Sequence, residues 1–250
     1  MLIKAYAKVN LILNVLGKRP DGFHEIETFM QALPLCDEVE VNVSEGEGVL
    51  LSVDNSRLNN VYNLAYVAAE KMLKIYGIKN KVQIRIKKHI PVAAGLAGGS
   101  ADAAAVITAL AKLWDKDNLE ELYAVGEEIG SDVPFCIAAC HGYKAAIGRG
   151  RGEKLEIVDP VDCEIELLTS DAFVPGKTKA VYGELQPSDY EKKYDIDAFI
   201  KAESLAEKEA LMGNHLEAPA RRVFKKNGFD LPTDGYHLSG AGPTLFKIMV

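Results

Sequence analysis

PVAAGLAGGSADAAAVITAL, residues 91–110, decides how this chain is read. Pro91 closes a strand-like run, Gly95, Gly98 and Gly99 soften the loop, and from Ser100 or Ala101 to Trp114 the residues are small and apolar nearly all round. That last pattern predicts a helix buried inside a domain. A glycine-rich loop entering a helix amino terminus gathers unpaired N–H groups and the positive end of the helix dipole, which suits an anion. The same glycines also suit a tight turn that needs them only for backbone geometry. Neither G-x-x-x-x-G-K-[ST] nor G-x-G-x-x-G is present, so a P-loop or a Rossmann dinucleotide fold is not expected.

Around this loop, residues 3–16 read as one strand or two joined by a bend, and RPDGFH at 19–24 reads as a turn. Residues 38–44, 48–54 and 81–87 alternate as half-exposed antiparallel strands. Val61, Leu64, Ala65, Ala68, Met72 and Tyr76 fall at helical spacing before Gly77, which predicts a helix over 60–76. A third helix starts at Asn118, with Glu121 as its capping-box partner, and ends at Gly130. IGRGRGEKL at 147–155 reads as a domain joint. Beyond it come a strand at 164–170, a short helix near 178–184, a polar helical region over 195–212, a helix ending near 227 and a closing strand. The fold class is α+β, with domains expected over 1–155 and 156–250.

The chain has 250 residues, 48% of them hydrophobic and 26% charged, enough for a core that needs no disulfide or metal. Its net charge of −7 argues against nucleic acid or an anionic membrane as partner. The longest uncharged apolar run, Val133 to Tyr143, is too short to cross a bilayer. The amino terminus lacks the features of an export signal, and four irregularly spaced cysteines suit a reducing compartment, so a cytoplasmic protein is expected. Cys136, Cys140 and His141 lie close together but lack a second ligand pair, and PFCIAAC reads as buried free thiols. No protein-held metal is expected.

The loop PVAAGLAGGSADAA resembles the phosphate-binding motif of the GHMP kinases, small-molecule kinases with a fold unrelated to the P-loop. AYAKVNLIL at 5–13 resembles their first motif and LSGAGPTLF at 238–246 their third. The resemblance implies an amino-terminal domain like the second domain of ribosomal protein S5 and a ferredoxin-like carboxyl-terminal domain. RPDGFHEIET, NLAYVAA, GSDVPF, GRGEKL, TKAVY and NHLE resemble, within that family, members acting on cytidine diphosphate methylerythritol. The implied reaction moves the ATP γ-phosphoryl group to the 2-hydroxyl of the methylerythritol moiety, a step of non-mevalonate isoprenoid biosynthesis, in a monomer or weak homodimer. Another family member acting on homoserine, mevalonate or a sugar, or a catalytically silent nucleotide-binding homologue, is the alternative.

On type and place alone, Asp132 is a helix-end aspartate and Lys8 a lysine on the wet face of a strand. The resemblance makes Asp132 the base that takes the hydroxyl proton and puts Lys8 beside it, where a cation favours the carboxylate and eases loss of that proton. Asn10 lies two residues on, on the same strand face, and reads as a substrate contact. Ser100 is on general grounds an N-cap, and by resemblance a phosphate or Mg²⁺ contact. ATP with its Mg²⁺ is then held by Pro91, Gly95, Leu96, Gly98, Gly99, Ser100 and Ala101, with Asn63, Leu64 and Lys88 on the nucleotide side. Phe23 and Tyr182 are expected to sandwich the cytosine, with His24 on its edge. Thr178, Gly240 and Gly242 complete the acceptor side. Departures from the family pattern are Ala93 and Ala94 where glycine or methionine is common, and Phe23 where tyrosine is frequent.

Overall fold

The computed structural model describes residues 1–232 and 235–249. They form two compact units, each assembled from separate stretches of chain. Unit 1 holds residues 1–8, 32–92 and 97–144; unit 2 holds 9–31, 93–96 and the chain from 145 onward. Two long strands produce this interleaving, because β1 (Leu2–Lys18) and β2 (His24–Ser44) each give one part to each unit. The sequence reading of β2 saw only its end, since Pro34 and mixed polarity over 31–38 hide the rest.

In unit 1, β3 (Gly48–Val53) is followed by a 3₁₀ turn (Ser56–Leu58), α1 (Leu64–Tyr76) and β4 (Lys81–Lys87). β4 pairs antiparallel with β2, from Glu38 opposite Lys87 to Ser44 opposite Lys81. β3 runs parallel to β4, against the antiparallel expectation. The physical reason is the crossover through α1, which returns the chain to the same end before the next strand starts. α1 begins where the Asn63 carboxamide oxygen accepts from Ala65 N–H and ends at Gly77, whose φ of 62° supplies the left-handed cap. α2 (Gly98–Leu113) packs against α1, α3 (Leu119–Glu127) and α4 (Val133–Cys140). It is buried without a break from Ala101 to Ala111, and its run of alanines lets these neighbours approach closely. α4 was legible only as an apolar run; Pro134 in its first turn costs no hydrogen bond there.

In unit 2, β5 (Ala145–Gly150) pairs with the first part of β2 and with β6 (Lys154–Val158). The stretch expected to be a domain joint is therefore a hairpin. Gly150 and Gly152 take φ values of 75° and 109° in its turn, and the Glu153 carboxylate accepts from Arg151 N–H. β7 (Glu164–Leu168), α5 (Lys177–Gly183), α6 (Ile196–Lys201), α7 (Leu205–Leu211), β8 (Gly213–Asn214), α8 (Glu217–Lys226), β9 (His237–Leu238) and β10 (Leu245–Met249) follow. The polar helical region over 195–212 is two helices, because Ser204 starts a new one with a capping box to Glu207. β8 pairs parallel with β1, and β10 lies antiparallel between β7 and β9. No helix among the described residues is long and apolar enough to cross a membrane.

Candidate active site

The glycine-rich loop joins β4 to α2 through a strained backbone. Ala93, Gly95 and Ala97 have φ values of 56°, 85° and 59°. A left-handed alanine costs about 1 kcal/mol, a cost that only surrounding structure sustains. The N-cap of α2 is Ala97 and not Ser100, because Gly98 and Gly99 are helical, and among the described residues no side chain caps this end. Ala101 N–H is already bonded to Ala97 O, and the Ala101 methyl is buried. The N–H groups at the open end are those of Gly98, Gly99 and Ser100, the arrangement an anion requires.

Each glycine of the loop has its own reason. A Cβ on Gly98 would meet Ile90 Cγ2 at 3.1 Å and Lys88 Nζ at 3.5 Å, so its absence serves internal packing and not ligand approach. A Cβ on Gly99 would make only an ordinary 3.7 Å contact with Leu64 Cδ1, which places the Asn63 and Leu64 start of α1 next to the start of α2. Pro91 is half-buried where the loop leaves the strand.

The Lys8 side chain is buried, and its ammonium lies 3.3 Å from Asp132 Oδ1. A buried ammonium without a charged or hydrogen-bonding partner would be costly, so the pairing explains how the strand tolerates it. Asp132 occupies the N-cap position of α4, but its side chain, 39% exposed, makes no capping hydrogen bond.

Lys88 is held differently from a phosphate ligand. Its ammonium donates to Asp37 Oδ2 at 2.5 Å and Asp102 Oδ2 at 2.7 Å; both carboxylates are buried and the Lys88 side chain is 9% exposed. Burial alone would lower the Lys88 ammonium, yet the two carboxylates outweigh it and the pKa is raised. Burial pushes Asp102 up to about 7, with Lys88 opposing and Asp37 adding to the shift.

In unit 2, the segment Ala93–Leu96 is knitted to the third glycine-rich motif. Ser239 Oγ donates to Gly95 O at 3.0 Å and Thr244 N–H to Ala94 O at 3.1 Å. A Cβ on Gly95 would lie 2.5 Å from Ser239 O and 2.7 Å from Gly242 O, and Leu96 is buried beside it in sequence. Gly240 and Gly242 take φ values of 55° and 73° in the turn of that motif. Asn10 is buried; its amide donates to Thr28 Oγ1, and its carboxamide oxygen lies 3.6 Å from where a Gly240 Cβ would stand.

The ring stacked on Tyr182 is His24, with centroids 5.0 Å apart and planes inclined by 27°. Phe23, 52% exposed, lies under the Arg151 guanidinium at 5.0 Å. Phe23 follows the Asp21–Gly22 turn, which directs it outward, whereas His24 already belongs to β2. Burial, with Lys18 nearby, lowers the His24 pKa, so the ring is neutral near neutral pH and can both donate and accept. Thr178 is exposed on α5, one turn before Tyr182.

Residues 63–140 match the GHMP kinases N terminal domain. A 4-diphosphocytidyl-2-C-methyl-D-erythritol kinase of Bacillus licheniformis is 40% identical over 264 residues, spanning 100% of this chain and 88% of its own. One of Exiguobacterium sibiricum is 37% identical over 260 residues, spanning 99% and 88%. The chain belongs to the GHMP kinase family. A crystal structure of 4-(cytidine 5'-diphospho)-2C-methyl-D-erythritol kinase matches this GHMP kinase at 30% identity and a TM-score of 0.78, covering 99% of this chain and 90% of that one. A mevalonate kinase at 13% identity and a TM-score of 0.67 shares the fold alone.

Four residues of this GHMP kinase escaped the sequence reading. A charged residue in ADAAAV was the available signal for Asp102, and one in PLCDEV for Asp37. Lys177 donates to Ala93 O at 2.8 Å and to Gly242 O, and Asn214 donates to the carbonyls of Leu238 and Gly240. Lys177 stands next to the TKAVY segment and Asn214 within NHLE, but nothing local announces either contact.

Proposed function

We propose that the chain transfers the γ-phosphoryl group of ATP to the 2-hydroxyl of 4-diphosphocytidyl-2-C-methyl-D-erythritol. The observation that carries this reading is the buried Lys8 ammonium 3.3 Å from the Asp132 carboxylate, in a chain whose α2 presents an uncapped amino terminus after a glycine-rich loop. Relatives at 37% and 40% identity over the whole chain bear the name of that kinase.

In the reaction, an Asp132 oxygen takes the proton of the acceptor hydroxyl as the hydroxyl oxygen forms its bond to the γ-phosphorus. The bond from the γ-phosphorus to the β–γ bridging oxygen breaks, and ADP leaves with the electron pair. Lys8 supplies positive charge where the alkoxide develops, and the N–H groups of Gly98, Gly99 and Ser100 bind phosphate oxygens. Mg²⁺ carried with the triphosphate would neutralise charge on the phosphates, with Ser100 as the residue to contact it.

On the acceptor side, Tyr182 offers a ring face to the cytosine, with Phe23 and His24 as partners and His24 bonding the base edge. Asn10, Thr178, Gly240 and Gly242 line the rest. An S5-like part and a ferredoxin-like part, ATP binding over 1–155 and acceptor binding over 156–250, a monomer or weak homodimer and a cytoplasmic location complete the proposal. An ADP-release assay with Mg-ATP and cytidine diphosphate methylerythritol, mevalonate, homoserine or galactose tests it. Turnover confined to the first supports the reading; turnover of another alcohol in its place overturns it.

A further inference from the structure

The Asp37–Lys88–Asp102 cluster sits at the neck of the phosphate loop. Asp37 Oδ1 accepts from the N–H groups of His89 at 2.5 Å and Ile90 at 2.8 Å, the last residues before Pro91. Its other oxygen holds the Lys88 ammonium, and that ammonium reaches across to Asp102, in the second turn of α2. The two ends of the loop are therefore joined through one largely covered cation. Asp102 Oδ1 has no protein hydrogen-bond partner among the described residues, so only Oδ2 performs the tie.

We infer that Asp102 is a positioning residue for the nucleotide: it draws Lys88 onto α2, closes the neck of the loop, and fixes where the N–H groups of Gly98, Gly99 and Ser100 point. The inference rests on the reading of that loop as the phosphate cradle. The electrostatics argue against a simpler role. With all three groups ionised the cluster carries one net negative charge, which opposes a triphosphate, so a purely electrostatic view expects tighter nucleotide on losing either carboxylate.

Two variants separate these views, because both remove the charge and only one keeps the tie. Asp102→Asn retains an oxygen for Lys88; Asp102→Leu retains volume and no acceptor. In steady-state kinetics of the full chain, Asp102→Leu raises the ATP KM about tenfold and leaves the acceptor KM within about twofold. Asp102→Asn restores an ATP KM at or below that of the wild type. The inference is overturned if both variants shift the ATP KM in the same direction, or if Asp102→Leu stays within about twofold. A wild-type chain without turnover on ATP would instead remove the underlying reading. Should Asp102→Leu not fold, Asp102→Ala, which likewise removes the charge and the acceptor, takes its place and is read against the same two outcomes.

Discussion

The His24 imidazole stacks on the Tyr182 ring at a centroid distance of 5.0 Å, tying the start of β2 to α5 within unit 2. At that spacing the two rings touch each other, so the cytosine of the proposed acceptor would stack on an outer face of the pair or displace one ring. Stacking on one ring contributes about 1–3 kcal/mol, so Tyr182→Ala raises the acceptor KM roughly ten- to a hundredfold and leaves the ATP KM unchanged. Equal shifts for both substrates would place Tyr182 outside the acceptor pocket.

Gly99 is the position that tests ligand approach in the loop. Its missing side chain opens onto an ordinary contact with Leu64, so Gly99→Val folds and raises the ATP KM well above any change in acceptor KM. An unaltered ATP KM in the folded variant would mean that phosphate binds elsewhere.

Gly95 carries the opposite signature. Its φ of 85° and the two carbonyl oxygens within 2.7 Å of a Cβ leave no room for alanine. Gly95→Ala lowers stability by about 2 kcal/mol or more, a fall of roughly 4–8 °C in Tm. A Tm unchanged on calorimetry would show that the loop and the third motif are not packed as described.

The pH dependence of stability reports on Asp102. Its folded pKa of about 7 lies above the ordinary 3.8, so between these values the folded chain keeps a proton that the unfolded chain has lost. Stability therefore falls as pH rises across that window, with the whole penalty present above it. Asp102→Asn stays neutral in both states. The Tm of Asp102→Asn minus that of the wild type grows from pH 5 to pH 8; a constant difference contradicts the shift.

What the sequence made legible was local. Gly77 stops α1 and the Asn118 side chain caps α3 by accepting from Glu121 N–H, because capping depends on residues a few positions apart. The start of α2 was misplaced because helical glycines at 98 and 99 read as loop, and left-handed alanines at 93 and 97 carry no sequence mark. The parallel pairing of β3 with β4 is set by a crossover, and the Lys88 cluster by residues from three distant segments. Lys8 and Asp132 came together in the reading only through family resemblance, since no spacing rule joins a strand near residue 8 to a turn near residue 132.

Asp132→Asn is the most direct test of the account. The amide keeps the shape of the carboxylate and an oxygen toward Lys8, while removing the base. With Mg-ATP and cytidine diphosphate methylerythritol, the account predicts a kcat lower by roughly two to four orders of magnitude with both substrates still bound. A folded variant that keeps more than about a tenth of the wild-type kcat would contradict it.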